Sequence, residues 1–423
     1  MNVEIINTGT EILLGNVLNT HLGFLAQELF SIGLRVQRQV TVPDGDAIRE
    51  ALVESFARAD IVLVTGGLGP TTDDITREVV AELLGLKMEF DAGVMRAIEV
   101  RFARRNLAVT ERVKRQAQVP RGATVLPNGN GTAPGLYFPQ SAAERSETEP
   151  PSVHQLQGSI RNPHLLLLPG PPRELHPMFT GSALPILKKI TPGGNAIGCR
   201  LYRISGLGES QVEHLVGEDL LAIHGLELGY CARPGEVDVR CIGTTDVLEK
   251  AHTIVAAKLQ PYIVSETGGS IEQTVVETLI VRGAKLAVAE SCTGGALANR
   301  ITSVPGASNA FLAGFVTYAN EAKSSALGVE PALIAEFGAV SREVAAAMAG
   351  GALKNSGADF ALSTTGIAGP TGGTPQKPVG TVFIGLAFKN APTEVEQHLF
   401  ATDRENFKQI VTQTALDLLR RNL

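Results

Sequence analysis

The chain has 423 residues, 44% of them apolar, so it is too long for one ordinary core and well supplied with material to bury. With 37 basic and 43 acidic side chains, its net charge of -6 gives no long-range attraction to nucleic acid or an anionic membrane, which leaves small-molecule ligands as the expected partners. Every apolar run falls short of the roughly 20 residues a membrane span needs, and MNVEIINTGTE lacks the basic start and apolar stretch of a secretory signal; a cytoplasmic protein is expected. Cys199, Cys231, Cys241 and Cys292 form no Cys-x-x-Cys pair, and the scattered His residues make no His-Glu-x-x-His pattern.

From residue 1 to 190, β-branched runs alternate with helical patterns. NVEIIN, RVQRQVTV and DIVLVTGG read as strands, with helices starting near Asn19, Gly45 and Asp74. That order predicts βαβ units on a mainly parallel sheet. Residues 140–162, rich in Ser, Glu, Gln and Pro, read as a surface insertion, after which LLLLPGPP resumes a buried strand. Residues 191–266 read as a small α+β module: RLYRIS, a helix from Glu209 to Leu221, the strands LELGYCAR and EVDVRCIG, a helix from Thr245 to Leu259, and YIV. Residues 267–423 form a third, α/β module with the strands KLAVAES, FVTYAN, DFALSTTG and VGTVFIGLAF, an Ala-rich helix near Ser341 and a last helix from Glu405.

Ser291 stands where KLAVAE ends and a helix begins, with Gly294 and Gly295 allowing close backbone approach. A serine hydroxyl needs a base to attack an amide, and with no Gly-x-Ser-x-Gly elbow and no nearby His, Lys323 is the better candidate. Its pKa must then fall, by burial and neighbouring positive potential. Tyr318, five residues before it, converges with it only if the chain turns between them, and could relay the proton. STTGIAGPTGG places Thr364, Thr365 and Gly366 at a third strand end, suited to an anion. The plainer readings are a helix cap for Ser291, a buried small residue for Cys292, and solvated charges for Lys323 and Arg404.

The segments AESCTGG, GFVTYANEAK, GAVS, TTGIAGPTGG, KPVGTV and ATDR resemble the CinA family of competence/damage-inducible proteins, whose C-terminal domain is similar to nicotinamide mononucleotide deamidases of the PncC type. The resemblance implies hydrolysis of nicotinamide mononucleotide to nicotinic acid mononucleotide and ammonia, without a cofactor. It implies Ser291 as nucleophile, Lys323 as base, Tyr318 as its partner, and Thr293, Gly294, Thr365, Gly366 and Arg404 as substrate-binding positions. Arg404 suits a phosphate, which a guanidinium meets bidentately.

In the first module, VTGGLGPTTDDITRE joins a Gly-rich turn to adjacent acids. Gly66, Gly67, Gly69, Thr71, Asp73 and Asp74 suit a phosphorylated ligand, as do Gly131 and Thr132 in NGNGTAPG, while Glu11, Asp73 and Asp74 are candidate metal ligands. The bland alternative is a set of ordinary βα turns, with the acids at a helix start. The signatures GGLGPTxDD and GTAPG resemble the three-layer molybdopterin-binding fold of MoaB and MogA proteins, in the form found in CinA proteins. That implies a second activity on ADP-ribose, a pyrophosphatase dependent on a divalent metal (Mg, Mn or Co). The middle module resembles a KH-like domain, but its turn reads SGLGES and lacks the Gly-x-x-Gly clamp, so a linker or a homodimer element is expected rather than an RNA site. The competing class is a nucleotide- or pterin-binding interaction protein of competence or DNA-damage response, without catalysis.

Overall fold

The computed structural model describes residues 1–140, 162–191 and 197–423; the expected insertion at 140–162 falls outside the described residues except at its two ends. The chain divides into two compact units, Met1–Ala196 and Ile197–Leu423. Among the described residues no helix is long and apolar enough to cross a membrane.

In the first unit the strands β1 (Val3–Thr8), β2 (Val36–Val42), β3 (Ile61–Thr65), β4 (Thr124–Leu126), β5 (Gly135–Phe138) and β6 (His164–Leu168) form one sheet. Their order is β2-β1-β3-β6-β5-β4, with the first four parallel and the last two antiparallel. IVLVT and LLLL are continuous apolar runs because both faces of the sheet are covered. On one face Val3, Ile5 and Leu63 meet Leu25 and Leu29 of α1 (His21–Phe30). On the other, Ile6, Val62 and Val64 meet Ile48 and Leu52 of α2 (Ala47–Phe56) and Val80 of α3 (Thr76–Leu83). The result is the expected three-layer α/β arrangement.

The second unit opens with a four-stranded antiparallel sheet. Its elements are β7 (Gly198–Ser205), α4 (Glu209–Leu221), β8 (Glu227–Arg233), β9 (Glu236–Gly243), α5 (Thr245–Leu259) and β10 (Ile263–Ser265), in strand order β8-β9-β7-β10. Val212 and Val216 of α4 and Ala251 and Val255 of α5 close one core with Tyr202 and Val239 of the sheet.

The remainder comprises α6 (Ile271–Arg282), β11 (Leu286–Glu290), α7 (Ala296–Thr302), β12 (Phe311–Val316), α8 (Asn320–Leu327), α9 (Arg342–Ser356), β13 (Phe360–Gly366), β14 (Thr381–Phe388), β15 (Ala391–Leu399) and α10 (Arg404–Asn422). The strand order is β12-β11-β13-β14-β15; the first three are parallel and the last two antiparallel. Small Ala287 and Ala289 on β11 let Met348, Ala349 and Ala352 of α9 approach closely, while Leu286 and Val288 face α6, α7 and α10. α10 also ties this sheet to the smaller one: Gln413 donates to Glu236 at 3.2 Å, and Arg420 donates to the carbonyls of Ile263 and Pro261 at 3.2 and 2.8 Å. The middle segment is thus braced against its C-terminal neighbour.

Two elements differ from expectation. β15 was not anticipated, because an edge strand with one side to solvent carries a polar sequence, PTEVEQHL, rather than an apolar run. FVTYAN is not all strand: β12 ends at Val316 and the chain turns at Thr317–Ala319 before α8.

α8 lies close against α9 only because residue 351 has no side chain. A Cβ on Gly351 would sit 2.0 Å from the Leu327 carbonyl oxygen, whereas one on Gly350 would meet nothing within 4 Å. Gly350→Ala is therefore expected to be neutral or to stabilise by about 0.5–1 kcal/mol, and Gly351→Ala to destabilise by about 1–3 kcal/mol, measured by denaturant unfolding.

Candidate active site

Three parallel strands, β12, β11 and β13, end side by side, and each end delivers one part of a site. At the first end, the Ser291 N–H donates to the Thr364 carbonyl at 2.9 Å, carrying the β11–β13 pairing one residue past the strand. The chain then turns through Gly294 and Gly295, at φ +60° and +95°, where a side chain would be strained. The fully buried Glu290 carboxylate folds under this turn. It accepts from the Thr293 hydroxyl at 2.7 Å and from the N–H groups of Gly295, Leu297 and Ala298 at 3.0, 3.0 and 2.8 Å.

The amino end of α7 is thereby satisfied from inside and offers no free cradle to a ligand. Thr293 and Gly294, expected to touch substrate, have other partners. The buried Thr293 hydroxyl also bonds the Thr364 hydroxyl at 2.7 Å, and the Gly294 N–H donates to the Ser291 carbonyl at 3.2 Å.

At the second end the turn at Thr317–Ala319 brings Lys323 of α8 back beneath β12. Its Nζ lies 3.1 Å from Ser291 Oγ and donates to the carbonyls of Thr317 and Tyr318 at 3.0 and 3.2 Å. Lys323 is 1% exposed, and among the described residues no carboxylate forms an ion pair with it. Burial lowers its pKa, against small raising effects from Cys292 and Glu321. The expected help from neighbouring positive potential is absent from these causes; desolvation does it. Tyr318 splits its expected role: its carbonyl holds Lys323, whereas its phenol, 63% exposed, turns away to accept from Arg404 at 3.1 Å. No hydrogen bond links that phenol to Ser291 or Lys323, so the relay has no path here.

The third end is β13. The buried Thr365 hydroxyl donates to the Ala339 carbonyl at 2.7 Å. The Ile367 N–H donates to Thr381 and its carbonyl accepts from Gly380, so Ile367 faces β14. Because backbone direction alternates along a strand, Gly366 faces the opposite edge, where β11 has given way to the Ser291 turn. Its N–H is directed at the space beside Ser291. Arg404, at the start of α10, donates to the Gly369 carbonyl at 2.9 Å and to Tyr318, and so closes one side. Ser291, Tyr318, Lys323, Thr365, Gly366 and Arg404 share a cleft of about 200 Å³. Cys292, beside the serine, is buried and its thiol is pushed up to about 12, far from a thiolate.

Sequence reasoning missed Glu290. The available signal was an acid ending an otherwise apolar strand directly before a Gly-rich turn.

The first unit's candidate residues are gathered less completely. Gly66 and Gly67 take φ +101° and +66°, and a Cβ on Gly66 would sit 2.4 Å from Thr8 Oγ1, a buried hydroxyl with no hydrogen-bond partner. Gly69 and Thr71 curl around Asp74, whose carboxylate accepts from the Thr71 N–H at 2.9 Å and from its hydroxyl. Asp73 has its pKa lowered by the Thr71 hydroxyl. The Gly131 N–H, expected to meet phosphate, is taken by Asn128 at 2.6 Å, and the Glu174 carboxylate beside it would repel an anion; Thr132 is half-buried in the same bend. Among the described residues no three His, Cys, Asp or Glu side chains are gathered to hold a metal. Glu11, Asp73 and Asp74 therefore do not gather as three protein ligands to one ion.

Two stretches of the chain match known families. Residues 269–423 match the family model described as CinA C-terminal domain, and residues 4–189 the one described as Probable molybdopterin binding domain. The chain is 46% identical over 416 residues to a CinA-like protein of Akkermansia muciniphila, spanning 98% of this chain and 96% of that one. A CinA-like protein of Kosmotoga olearia is 39% identical over 100% of this chain and 99% of its own. The chain belongs to the CinA family. Among solved structures, the competence/damage inducible protein CihA of Agrobacterium tumefaciens is 37% identical, covering 37% of this chain and 98% of its own, at a TM-score of 0.35.

Burying Lys323 has a measurable cost. Its folded pKa is lower than its unfolded one, so the unfolded chain binds more protons and stability rises with pH between the two values. Lys323→Met is expected to raise stability most near neutral pH, with the gain shrinking as pH approaches the ordinary lysine value of 10.5. Urea unfolding of both proteins across that range checks it; a gain independent of pH would contradict it.

Proposed function

We propose that the second unit hydrolyses the carboxamide of nicotinamide mononucleotide, releasing ammonia and nicotinic acid mononucleotide. The observation that carries this reading is the 3.1 Å contact between Ser291 Oγ and a lysine amine buried without a counter-ion. A neutral amine has two N–H bonds and one lone pair. The carbonyls of Thr317 and Tyr318 take the two N–H bonds, which aims the lone pair at the Ser291 hydroxyl. Within that contact the hydroxyl then donates to Nζ, the arrangement a general base needs.

Attack by Ser291 Oγ on the carboxamide carbon transfers the hydroxyl proton to Lys323. The developing oxyanion falls on the side the Gly366 N–H faces. Lys323 returns its proton to the leaving nitrogen, and ammonia departs from an acyl-serine. Water, deprotonated by the same amine, attacks the ester carbon; Ser291 leaves with the proton, and the acid product is freed. Nothing in these steps calls for a cofactor. The cleft holds groups for a small planar amide, and Arg404 on its rim supplies positive charge for a nucleotide's phosphate.

For the first unit we propose binding of a phosphorylated nucleotide, with ADP-ribose hydrolysis as its activity. The support is the pair of glycine turns beside an unpartnered Thr8 hydroxyl. A divalent ion there would draw most of its ligands from water and phosphate oxygens. This two-site enzyme is favoured over a non-catalytic interaction protein by the Ser291–Lys323 contact, which a binding module has no use for.

Ser291→Ala and Lys323→Ala are each expected to lower ammonia release from nicotinamide mononucleotide by about a thousandfold or more while leaving the circular dichroism spectrum unchanged. Turnover retained by the serine variant rejects the deamidase reading. AMP release from ADP-ribose is expected only with added Mg, Mn or Co, and is expected to fall at least about tenfold in Asp74→Ala; release that survives chelator contradicts the second activity.

A further inference from the structure

We infer that Lys408 is the second half of a phosphate subsite, so that the deamidase site discriminates a 5′-phosphorylated nucleotide from its nucleoside. This deepens the deamidase reading and rests on it. The cleft of about 200 Å³ is smaller than the roughly 300–1,000 Å³ of pockets that enclose a whole drug-sized ligand. With the carboxamide at Ser291, the phosphate end of a mononucleotide must lie at the rim. Backbone amides do not meet it there, since the Glu290 carboxylate occupies the amino end of α7 and the Asp403 carboxylate accepts from the N–H groups of Glu405 and Asn406 at the start of α10. Side-chain cations are what remain.

Arg404 is one, and Lys408 follows it by four residues on the same helix, hence on the same face. Phe407 and Val411, both fully buried, fix how that helix is turned. The Lys408 side chain reaches the Ser291 turn: a Cβ on Gly294 would lie 3.9 Å from its Nζ. Lys408 is half-buried and, among the described residues, takes part in no hydrogen bond or ion pair, whereas Arg404 is held in place by Gly369 and Tyr318. A fixed guanidinium lining the cleft and an uncommitted ammonium beside the Ser291 turn suit a phosphate dianion: the first orients it, the second adds charge.

The test compares nicotinamide mononucleotide with nicotinamide riboside, which lacks the phosphate, in wild type, Lys408→Met and Lys408→Arg. Loss of one charge-assisted contact should lower the ratio of kcat/KM for mononucleotide over riboside by about tenfold to a hundredfold in Lys408→Met, mainly through KM, with much of it restored in Lys408→Arg. An unchanged ratio, or equal losses on both substrates, overturns the inference. Should wild type turn over neither substrate, the deamidase reading fails, and the subsite is then decided by calorimetry with inorganic phosphate on Ser291→Ala: binding that Lys408→Met abolishes upholds it, and binding indifferent to Lys408 overturns it.

Discussion

One lysine amine, taken out of water and given no negative partner, is the constraint on which the C-terminal site depends. Hydration strongly favours a protonated lysine, so the fold must prevent solvation while still occupying the amine's hydrogens. The turn after β12 supplies two carbonyl oxygens for that purpose, and Ser291 takes the third direction. A buried carboxylate in the same place would have kept the amine charged. Glu290, the buried acid that precedes Ser291, is instead engaged with the amides of Gly295, Leu297 and Ala298.

The surrounding architecture serves this placement. β11 and β12 are parallel neighbours, so their carboxyl ends lie together, and α8 must fold back under them for Lys323 to reach Ser291. Close approach of α8 to α9 depends on Gly351, and close approach of α9 to the sheet on Ala287 and Ala289. Gly294 serves the turn itself, since its φ of +60° is a backbone conformation that a side chain would strain.

Much of the architecture could be read from the residues. Apolar runs such as IVLVT and LAVAE belong to strands covered on both faces, and the helices Glu209–Leu221 and Thr245–Leu259 begin and end where periodicity places them. Ser291, Lys323, Thr365, Gly366 and Arg404 could also be singled out, since each sits at a strand end or helix start in a short motif. What sequence left open is direction. Nothing local reveals that Tyr318 acts through its carbonyl while its phenol turns to Arg404, or that Thr293 points inward to Glu290. β15 escaped because an edge strand needs no apolar run. In the first unit, a run of Gly and Asp residues reads as a metal and phosphate loop, yet Asp74 spends its carboxylate on Thr71 and no three ligands gather among the described residues.

The protonation state of Lys323 tests the central claim most directly. A titration followed by the ¹⁵N chemical shift of its Nζ, in protein labelled at lysine, reports that state without reference to any substrate. The account predicts a midpoint below the ordinary lysine value of 10.5, with the signal moving when Ser291 is replaced by alanine. A midpoint at or above that value, or a signal unchanged by that replacement, would contradict it.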